Sequence, residues 1–189
     1  MEKTLGQVQA NCLRVVLFGP ESTGKTTLSK ALASHYNAPF VPEFAREFLQ
    51  NIWNQNQTIC SKEDLIPIAI GQMKLENEFA QKVNKVLICD TNLLQTKVYS
   101  EVYFDGYCDP EIELYSKKNH YDLYFLCGID VPWEEDVLRD KPNEREFMFN
   151  RFQTELNKQN LPYVNLYGSQ EKRFLSAIAY INELIDSKH

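Results

Sequence analysis

The stretch GPESTGKT has the residue types and the spacing of a phosphate-binding loop. Its eight residues, 19–26, satisfy the pattern G-x-x-x-x-G-K-[ST] in full. Glycines let the backbone wrap around phosphate oxygens, and the N–H groups that open the following helix attract an anion. Lys25 can reach the β- and γ-phosphates of a nucleoside triphosphate, and the Thr26 hydroxyl is a hard oxygen ligand for Mg²⁺. We therefore expect ATP and Mg²⁺ as ligands, with nucleotide contacts from Gly19, Pro20, Glu21, Ser22, Thr23, Gly24, Lys25, Thr26 and Thr27.

Two acidic residues follow apolar runs that are predicted to be strands. Asp90 ends the run VLIC, as a Walker B aspartate does, and is expected to hold Mg²⁺ directly or through water, or to face the acceptor. Glu43 follows the second strand and is a candidate to orient or take the proton of an acceptor hydroxyl. Arg46 lies on the same helix face as Glu43 and could pair with it or hold a substrate.

Each of these polar residues also has a structural interpretation. Asp90 could cap the next helix, and Glu43 could be a favourable charge in a first helical turn. Arg46 could belong to a surface ion pair. A site role is favoured for Asp90 and for Glu43, whereas the two interpretations of Arg46 stay open.

A charged segment between the fourth and fifth predicted strands has the composition of a lid. Arg139 and Arg145 flank helix breakers there, and they are candidates to stabilise charge that develops on the transferred phosphate. Trp133 is a candidate to stack on a substrate ring. The alternatives are a solvated helix pair with surface arginines, and Trp133 packed within the core or the lid.

Hydrophobic periodicity predicts elements that would bring these residues together. Strands are expected at 13–18, 39–41, 86–89, 123–127 and 163–166. Helices are expected at 25–36, 43–53, 61–84, 92–104, 111–119, 133–140, 144–159 and 170–185, with a turn at 105–110 and a break at 141–143. This alternation predicts an α/β fold: a parallel sheet of about five strands with helices on both faces, and ligands at the carboxyl ends of the strands. We expect one P-loop kinase-like domain over residues 1–189, with a polar lead-in at 1–12.

Composition excludes several classes of protein. The 189 residues are 43% hydrophobic and 24% charged, with a net charge of −6, which is typical of a globular domain and unlike a nucleic-acid-binding protein. No apolar run approaches the roughly 18 residues of a membrane span, and the amino terminus lacks the apolar stretch of a secretory signal. Five scattered cysteines predict reduced thiols and a cytoplasmic protein. The sequence allows a homo-oligomer without requiring one.

Four motifs occur along the chain in a characteristic order. They are the loop form G-x-E-S-x-G-K-[ST], the element E-[FY]-x-R-x-[FY] at 43–48, Asp-Thr at 90–91 followed by Gln-Thr at 95–96, and P-W-x-x-D-x-L-R at 132–139 with Arg145 and Phe147 beyond it. In this combination the chain resembles the ribosylnicotinamide kinase domain of NadR-type proteins over residues 13–166. The resemblance implies ATP-dependent phosphorylation of the 5′-hydroxyl of nicotinamide riboside to nicotinamide mononucleotide, a step of NAD biosynthesis.

The chain departs from that family pattern at Asn92, where the pattern has an aspartate. Asn92 is therefore a candidate substrate ligand. Because it lacks the carboxylate of the family pattern, its contacts with a metal or a ribose are expected to differ. The segment 139–145 is short for the family, and we expect a stand-alone kinase-like domain without the adenylyltransferase and helix-turn-helix parts of larger NadR proteins.

Two other functions compete with a nicotinamide riboside kinase. One is a P-loop regulatory ATPase or nucleotide switch, and the other is a kinase of a different small metabolite. A GTPase is disfavoured because the sequence has no N-K-x-D motif after a late strand and no D-x-x-G after the third. Glu43 and the arginine-bearing lid favour a kinase.

Overall fold

Short runs of apolar residues, many of them β-branched or aromatic, form the central sheet. The computed structural model describes residues 5–139 and 142–188, so Met1–Thr4 of the predicted lead-in, and Asp140 and Lys141 of the predicted lid, lie outside the described residues. The strands are β1 (Leu13–Phe18), β2 (Phe40–Val41), β3 (Val86–Asp90), β4 (Leu123–Cys127) and β5 (Tyr163–Leu166). They pair in parallel in the order β2-β3-β1-β4-β5, which confirms the predicted α/β class.

Helices cover both faces of this sheet. They are α1 (Lys25–His35), α2 (Phe44–Asn56), α3 (Leu65–Ala80), α4 (Leu93–Tyr103), α5 (Pro110–Lys118), α6 (Arg145–Lys158) and α7 (Gln170–Ser187). One apolar core joins the sheet to α4 and α6, and a second joins the opposite face to α1 and α7. Because both faces are covered, every residue of β1, β3 and β4 is buried. Within the two described ranges, no helix is long and apolar enough to cross a membrane.

Most element boundaries differ from the predicted ones by a few residues. β2 is confined to Phe40–Val41, α2 continues to Asn56, and α3 ends at Ala80 rather than near position 84. The predicted capping box is confirmed, since the Asp64 carboxylate accepts the Ser61 N–H at 2.8 Å. It opens a short 3₁₀ turn that leads into α3.

The helix predicted at 133–140 is wrong, because the described part, 133–139, is a loop. Side chains form hydrogen bonds with backbone N–H and carbonyl groups that would otherwise bond to each other in a helix. The Glu134 N–H donates to the Ser22 hydroxyl at 2.8 Å, and the Glu134 carbonyl accepts from the Arg139 guanidinium at 2.8 Å. The Asp136 carboxylate accepts a backbone N–H two residues later. Such local side-chain bonds compete directly with helical hydrogen bonds.

Candidate active site

The phosphate loop lies at the carboxyl edge of the sheet, between β1 and α1. Its last glycine, Gly24, has a φ of 79°, which favours a residue without a Cβ. A Cβ at this position would also lie 2.4 Å from Nε2 of Gln170, at the start of α7. Ser22 also has a left-handed backbone, with φ 53°. These conformations let the loop turn back on itself before α1 begins.

Lys25 lies across its own loop. Its ammonium donates to the carbonyl oxygens of Gly19 at 2.9 Å and Pro20 at 2.6 Å, and the side chain is largely buried. The Thr23 hydroxyl donates to the same Pro20 carbonyl at 2.8 Å. The lysine charge is therefore held within the loop, where an anion bound by the loop N–H groups would attract it.

Thr26 and Asp90 form a hydrogen-bonded pair of oxygen-bearing side chains next to the loop. The Thr26 hydroxyl donates to Oδ2 of Asp90 at 2.5 Å, and Asp90 is only 1% exposed. Oδ1 of Asp90 is also buried and has no hydrogen-bond partner among the described residues. Burial raises the pKa of Asp90, and the Thr26 hydroxyl and nearby lysines oppose that rise.

This pair fits a magnesium ion. Mg²⁺ prefers hard oxygen ligands, and nucleotide sites usually hold it through one or two protein oxygens, with phosphate and water as the other ligands. In the described part of the chain, no group of three or more His, Cys, Asp or Glu side chains could hold a metal alone. The unpaired Asp90 oxygen is accordingly the observation that indicates a cation here.

Glu43 shares the electrostatic environment of this pair. It occupies the N-cap position of α2 without a side-chain capping bond within the described chain, so its carboxylate is not committed to the helix. Burial and then the Asp90 charge raise the pKa of Glu43 to about 7, while Lys25, Arg46 and Arg139 act to lower it. Glu43, Asp90 and Lys25, which were predicted separately, thus interact at one edge of the sheet.

Arg145, at the start of α6, ties the lid segment to the phosphate loop. Its guanidinium donates to the carbonyl oxygens of Val131 at 2.9 Å and Ser22 at 3.0 Å. It also lies 5.8 Å from the centre of a Trp133 ring. Burial lowers the pKa of Arg145 from the ordinary arginine value. The half-buried Arg145 guanidinium therefore lies directly against the phosphate loop.

A second contact ties the lid to α2. The Arg46 guanidinium forms an ion pair with Asp136, whose pKa that contact lowers. Of the two interpretations of Arg46, an ion pair is therefore present, and its partner comes from the lid segment rather than being Glu43. Arg139 lies 3.8 Å from the Glu134 carboxylate in the same loop.

Asn92 has a structural role that the sequence did not reveal. It caps α4 by accepting the Gln95 N–H at 3.4 Å, and its amide donates to the Tyr124 hydroxyl at 3.0 Å. The residue is 1% exposed, so these partners account for its amide inside the fold. Asn92 follows Asp90 by two positions, and its amide bonds to α4 and β4.

A small pocket adjoins the phosphate loop on the side of α4 and the lid. It is lined by Pro20, Glu21, Tyr99, Tyr103, Trp133, Arg145 and Met148. Tyr99 and Tyr103, one helical turn apart on α4, were not predicted as site residues. Their spacing is a signal in the sequence, but only the fold shows that the loop stands opposite them.

Arg173 is a further residue that sequence reasoning missed. It lies in α7, is 1% exposed, and donates to the carbonyl oxygens of Thr23 at 2.8 Å, Gly128 at 3.1 Å and Gly168 at 3.0 Å. It also pairs with Asp130. A signal existed: Arg173 shares the buried face of α7 with apolar residues spaced four apart, where an arginine needs partners.

Comparisons with known proteins agree with the fold. A family model described as an AAA domain matches residues 14–173. No curated protein sequence matches the chain significantly.

Solved structures share the fold. A NadR protein in complex with NR superposes with a TM-score of 0.73 at 24% identity, covering 93% of this chain and 51% of that one. NadR in complex with NAD and AMP-PNP gives 0.73 at 22%, covering 93% and 50%. Deoxyadenosine kinase from M. mycoides with bound dATP gives 0.63 at 16%, covering 90% and 100%. The chain spans about half the length of these NadR structures, and the predicted resemblance is confirmed at the level of the fold.

Proposed function

The chain belongs to the AAA domain family, and from that premise we propose that it is an ATP- and Mg²⁺-dependent kinase of nicotinamide riboside. One observation carries the proposal: Lys25, Thr26, Asp90 and Glu43 meet at the carboxyl edge of the sheet beside the phosphate loop. These are the parts that phosphoryl transfer needs, namely a phosphate cradle, a metal site and a group for the acceptor hydroxyl.

The nucleotide side of the site consists of the loop and the residues beside it. The loop N–H groups and the start of α1 bind the phosphates, and Lys25 exchanges its carbonyl partners for phosphate oxygens. Thr26 and Asp90 would hold Mg²⁺, which would supply positive charge against the triphosphate. The cation would give the buried Asp90 oxygen the partner that it lacks among the described residues.

The acceptor side is organised by Glu43. The acceptor oxygen attacks the γ-phosphorus, the bond from that phosphorus to the β–γ bridging oxygen breaks, and ADP leaves. The hydroxyl proton passes to the Glu43 carboxylate. A pKa near 7 suits a group that accepts this proton at neutral pH, although orientation of the hydroxyl contributes more when the transition state is loose.

The arginines of the lid act on the phosphate that is being transferred. Arg145 already contacts the loop through the Ser22 carbonyl at 3.0 Å, and Arg139 is near enough to lower the pKa of Glu43. Charge grows on the leaving oxygens in the transition state, so fixed guanidinium groups stabilise it more than the ground state.

The side chains around the small pocket beside the loop suit a nucleoside acceptor with a flat, cationic ring, and the pocket must widen to admit one. Tyr99, Tyr103 and Trp133 supply aromatic faces, and Glu21 supplies a carboxylate in the same pocket. Aromatic faces attract cations, and the ring of nicotinamide riboside carries a positive charge. The NadR structure in complex with NR, at 24% identity, supports the same choice of acceptor.

The test is a panel of nucleosides and small alcohols incubated with ATP and Mg²⁺ and analysed for phosphorylated products. We expect nicotinamide mononucleotide from nicotinamide riboside, and no product from the Lys25→Ala variant. ATP hydrolysis without any phosphorylated acceptor would instead indicate a regulatory ATPase. A different preferred acceptor would indicate a kinase of another metabolite on the same scaffold.

A further inference from the structure

Gln72 of α3 binds the backbone on both sides of Glu43. Its Oε1 accepts the Phe44 N–H at 2.8 Å, and its Nε2 donates to the Pro42 carbonyl at 3.3 Å. The side chain is 3% exposed. A single amide therefore holds the two peptide groups that flank the candidate catalytic carboxylate.

The neighbouring residue of α3, Gly71, completes this contact. A Cβ at Gly71 would lie 2.1 Å from Cε1 of Phe44, so the ring occupies the place of a side chain on α3. The ring and the two backbone bonds fix the turn at 42–44 against α3 in three places. This close approach is a reason for a glycine inside an otherwise regular helix.

The position of Gln72 explains how Glu43 can begin a helix while its carboxylate makes no capping bond to that helix within the described chain. Helices leave their first N–H groups without partners, and a capping side chain commonly accepts them. Here the first N–H group of α2 is taken by Gln72, and the Glu43 side chain makes no capping bond within the described chain. The carboxylate stays available to a ligand.

We propose that Gln72 is a positioning residue for phosphoryl transfer, which directs Glu43 towards the acceptor by fixing the peptide groups on either side of it. The inference rests on the proposed kinase function. The residue at the start of a helix usually caps it with its own side chain. Here Gln72 of α3 accepts the first N–H group of α2, so the Glu43 carboxylate is left for catalysis.

The decisive variant is Gln72→Met, which keeps the side-chain volume and removes both hydrogen bonds. We expect kcat to fall by about ten- to a hundredfold, since small misplacements of a reacting group have effects of this size. The affinity for ATP should stay unchanged, because Lys25 bonds to its own loop and Thr26 bonds to Asp90 of β3. Gly71→Ala is a second variant, which displaces the Phe44 ring while it favours the helix.

The same helix offers a matched control. Asn77 also binds backbone through one amide: its Oδ1 accepts the Val8 N–H at 3.0 Å, and its Nδ2 donates to the Gly6 carbonyl at 2.9 Å. These contacts hold the amino-terminal segment rather than the site. Asn77→Leu should lower the melting temperature about as much as Gln72→Met and leave kcat unchanged.

A double-mutant cycle with Glu43→Gln completes the test. If Gln72 acts through Glu43, adding Gln72→Met to Glu43→Gln should lower kcat by less than twofold. Any one of three results would overturn the inference about Gln72 and leave the proposed function intact. They are fully additive losses in the cycle, an unchanged kcat in Gln72→Met, and an equal loss of kcat in Asn77→Leu. A parent protein that phosphorylates no acceptor would overturn the proposed function, and this inference with it.

Discussion

The buried carboxylates at the two ends of the sheet differ in how completely their oxygens are hydrogen-bonded. At the amino end, Glu76 is 0% exposed, and its oxygens accept hydrogen bonds from Tyr121 at 2.7 Å and Gln7 at 2.8 Å. Arg14 lies 3.4 Å away as a counter-charge. At the carboxyl end, one oxygen of Asp90 accepts from Thr26, and the other has no partner among the described residues.

Burial raises the pKa of the carboxyl group at both ends, so the difference lies in what compensates it. At the amino end the protein supplies a hydroxyl, an amide and a guanidinium. At the carboxyl end Thr26 and nearby lysines compensate Asp90 in part, and Glu43 is a second carboxylate whose own pKa the Asp90 charge raises. A buried charge that is only partly compensated is unfavourable, and it is typical of sites where a ligand supplies the missing partner.

The largest expected effect comes from Lys25→Ala. Phosphorylation should fall by about a thousandfold or more, because the main side-chain cation on the transferred phosphates is lost. The fold should remain, since the hydrogen bonds of the lysine within the described residues go to its own loop. Single-turnover rates with circular dichroism as the control measure both. Near-normal turnover would show that the charges at this end serve no phosphoryl transfer.

Glu43→Gln comes next. The substitution keeps the shape and removes the charge, so the rate of phosphoryl transfer should fall by roughly ten- to ten-thousandfold. The affinity for ATP should change little, because the loop binds the triphosphate independently. Single-turnover phosphorylation measured alongside ATP binding separates the two quantities. Loss of ATP affinity with intact transfer would assign Glu43 to the nucleotide side.

Asp90→Asn should reduce Mg²⁺-dependent turnover by about ten- to a hundredfold, the range typical of groups that support a metal site. The physical reason is the lost charge at the unpaired oxygen. A titration of rate against Mg²⁺ concentration, with nucleotide affinity as the control, tests this. Identical metal dependence in both proteins would leave Asp90 as a structural group only.

Glu76→Gln addresses the amino end, where the effect should be on stability. Removal of the partner of Arg14 should lower the free energy of unfolding by about 3 kcal/mol, as expected when one member of a buried ion pair is lost. At temperatures where the variant is folded, kcat should stay within about twofold, since Glu76 lies at the opposite end of the sheet and shares no hydrogen-bond partner with the site among the described residues. A kcat loss comparable to that of Glu43→Gln would remove the distinction between the two ends.

The smallest expected effect is a dependence of stability on pH. The pKa of Glu43 rises from an ordinary 4.5 to about 7 on folding, so the folded state binds the proton more tightly. The resulting stabilisation is complete below the lower value and is lost as pH rises through the upper one. Glu43→Gln should therefore gain a few degrees in melting temperature over the parent as pH rises across that window. Parallel melting curves against pH would contradict the raised pKa.

Sequence alone determined the parts that depend on local patterns. The phosphate loop is a contiguous motif, and β4 and β5 have the bounds that their apolar runs predicted. Asp90 and Glu43 followed from a general rule, because the carboxyl ends of parallel strands share one edge. These features depend on neighbours in sequence and on topology rather than on the details of packing.

Tertiary structure decided which side chain meets which. Arg46 pairs with Asp136 across 90 positions of the chain, and Arg173 reaches the Thr23 carbonyl across 150. Asn92 is turned into the core by a tyrosine of β4, and Gln72 faces the turn that holds Glu43. Hydrophobic periodicity specifies which face of an element is buried, but it carries no record of the partner across the interface. That choice arises only when the elements pack, and it sets the position of each charge.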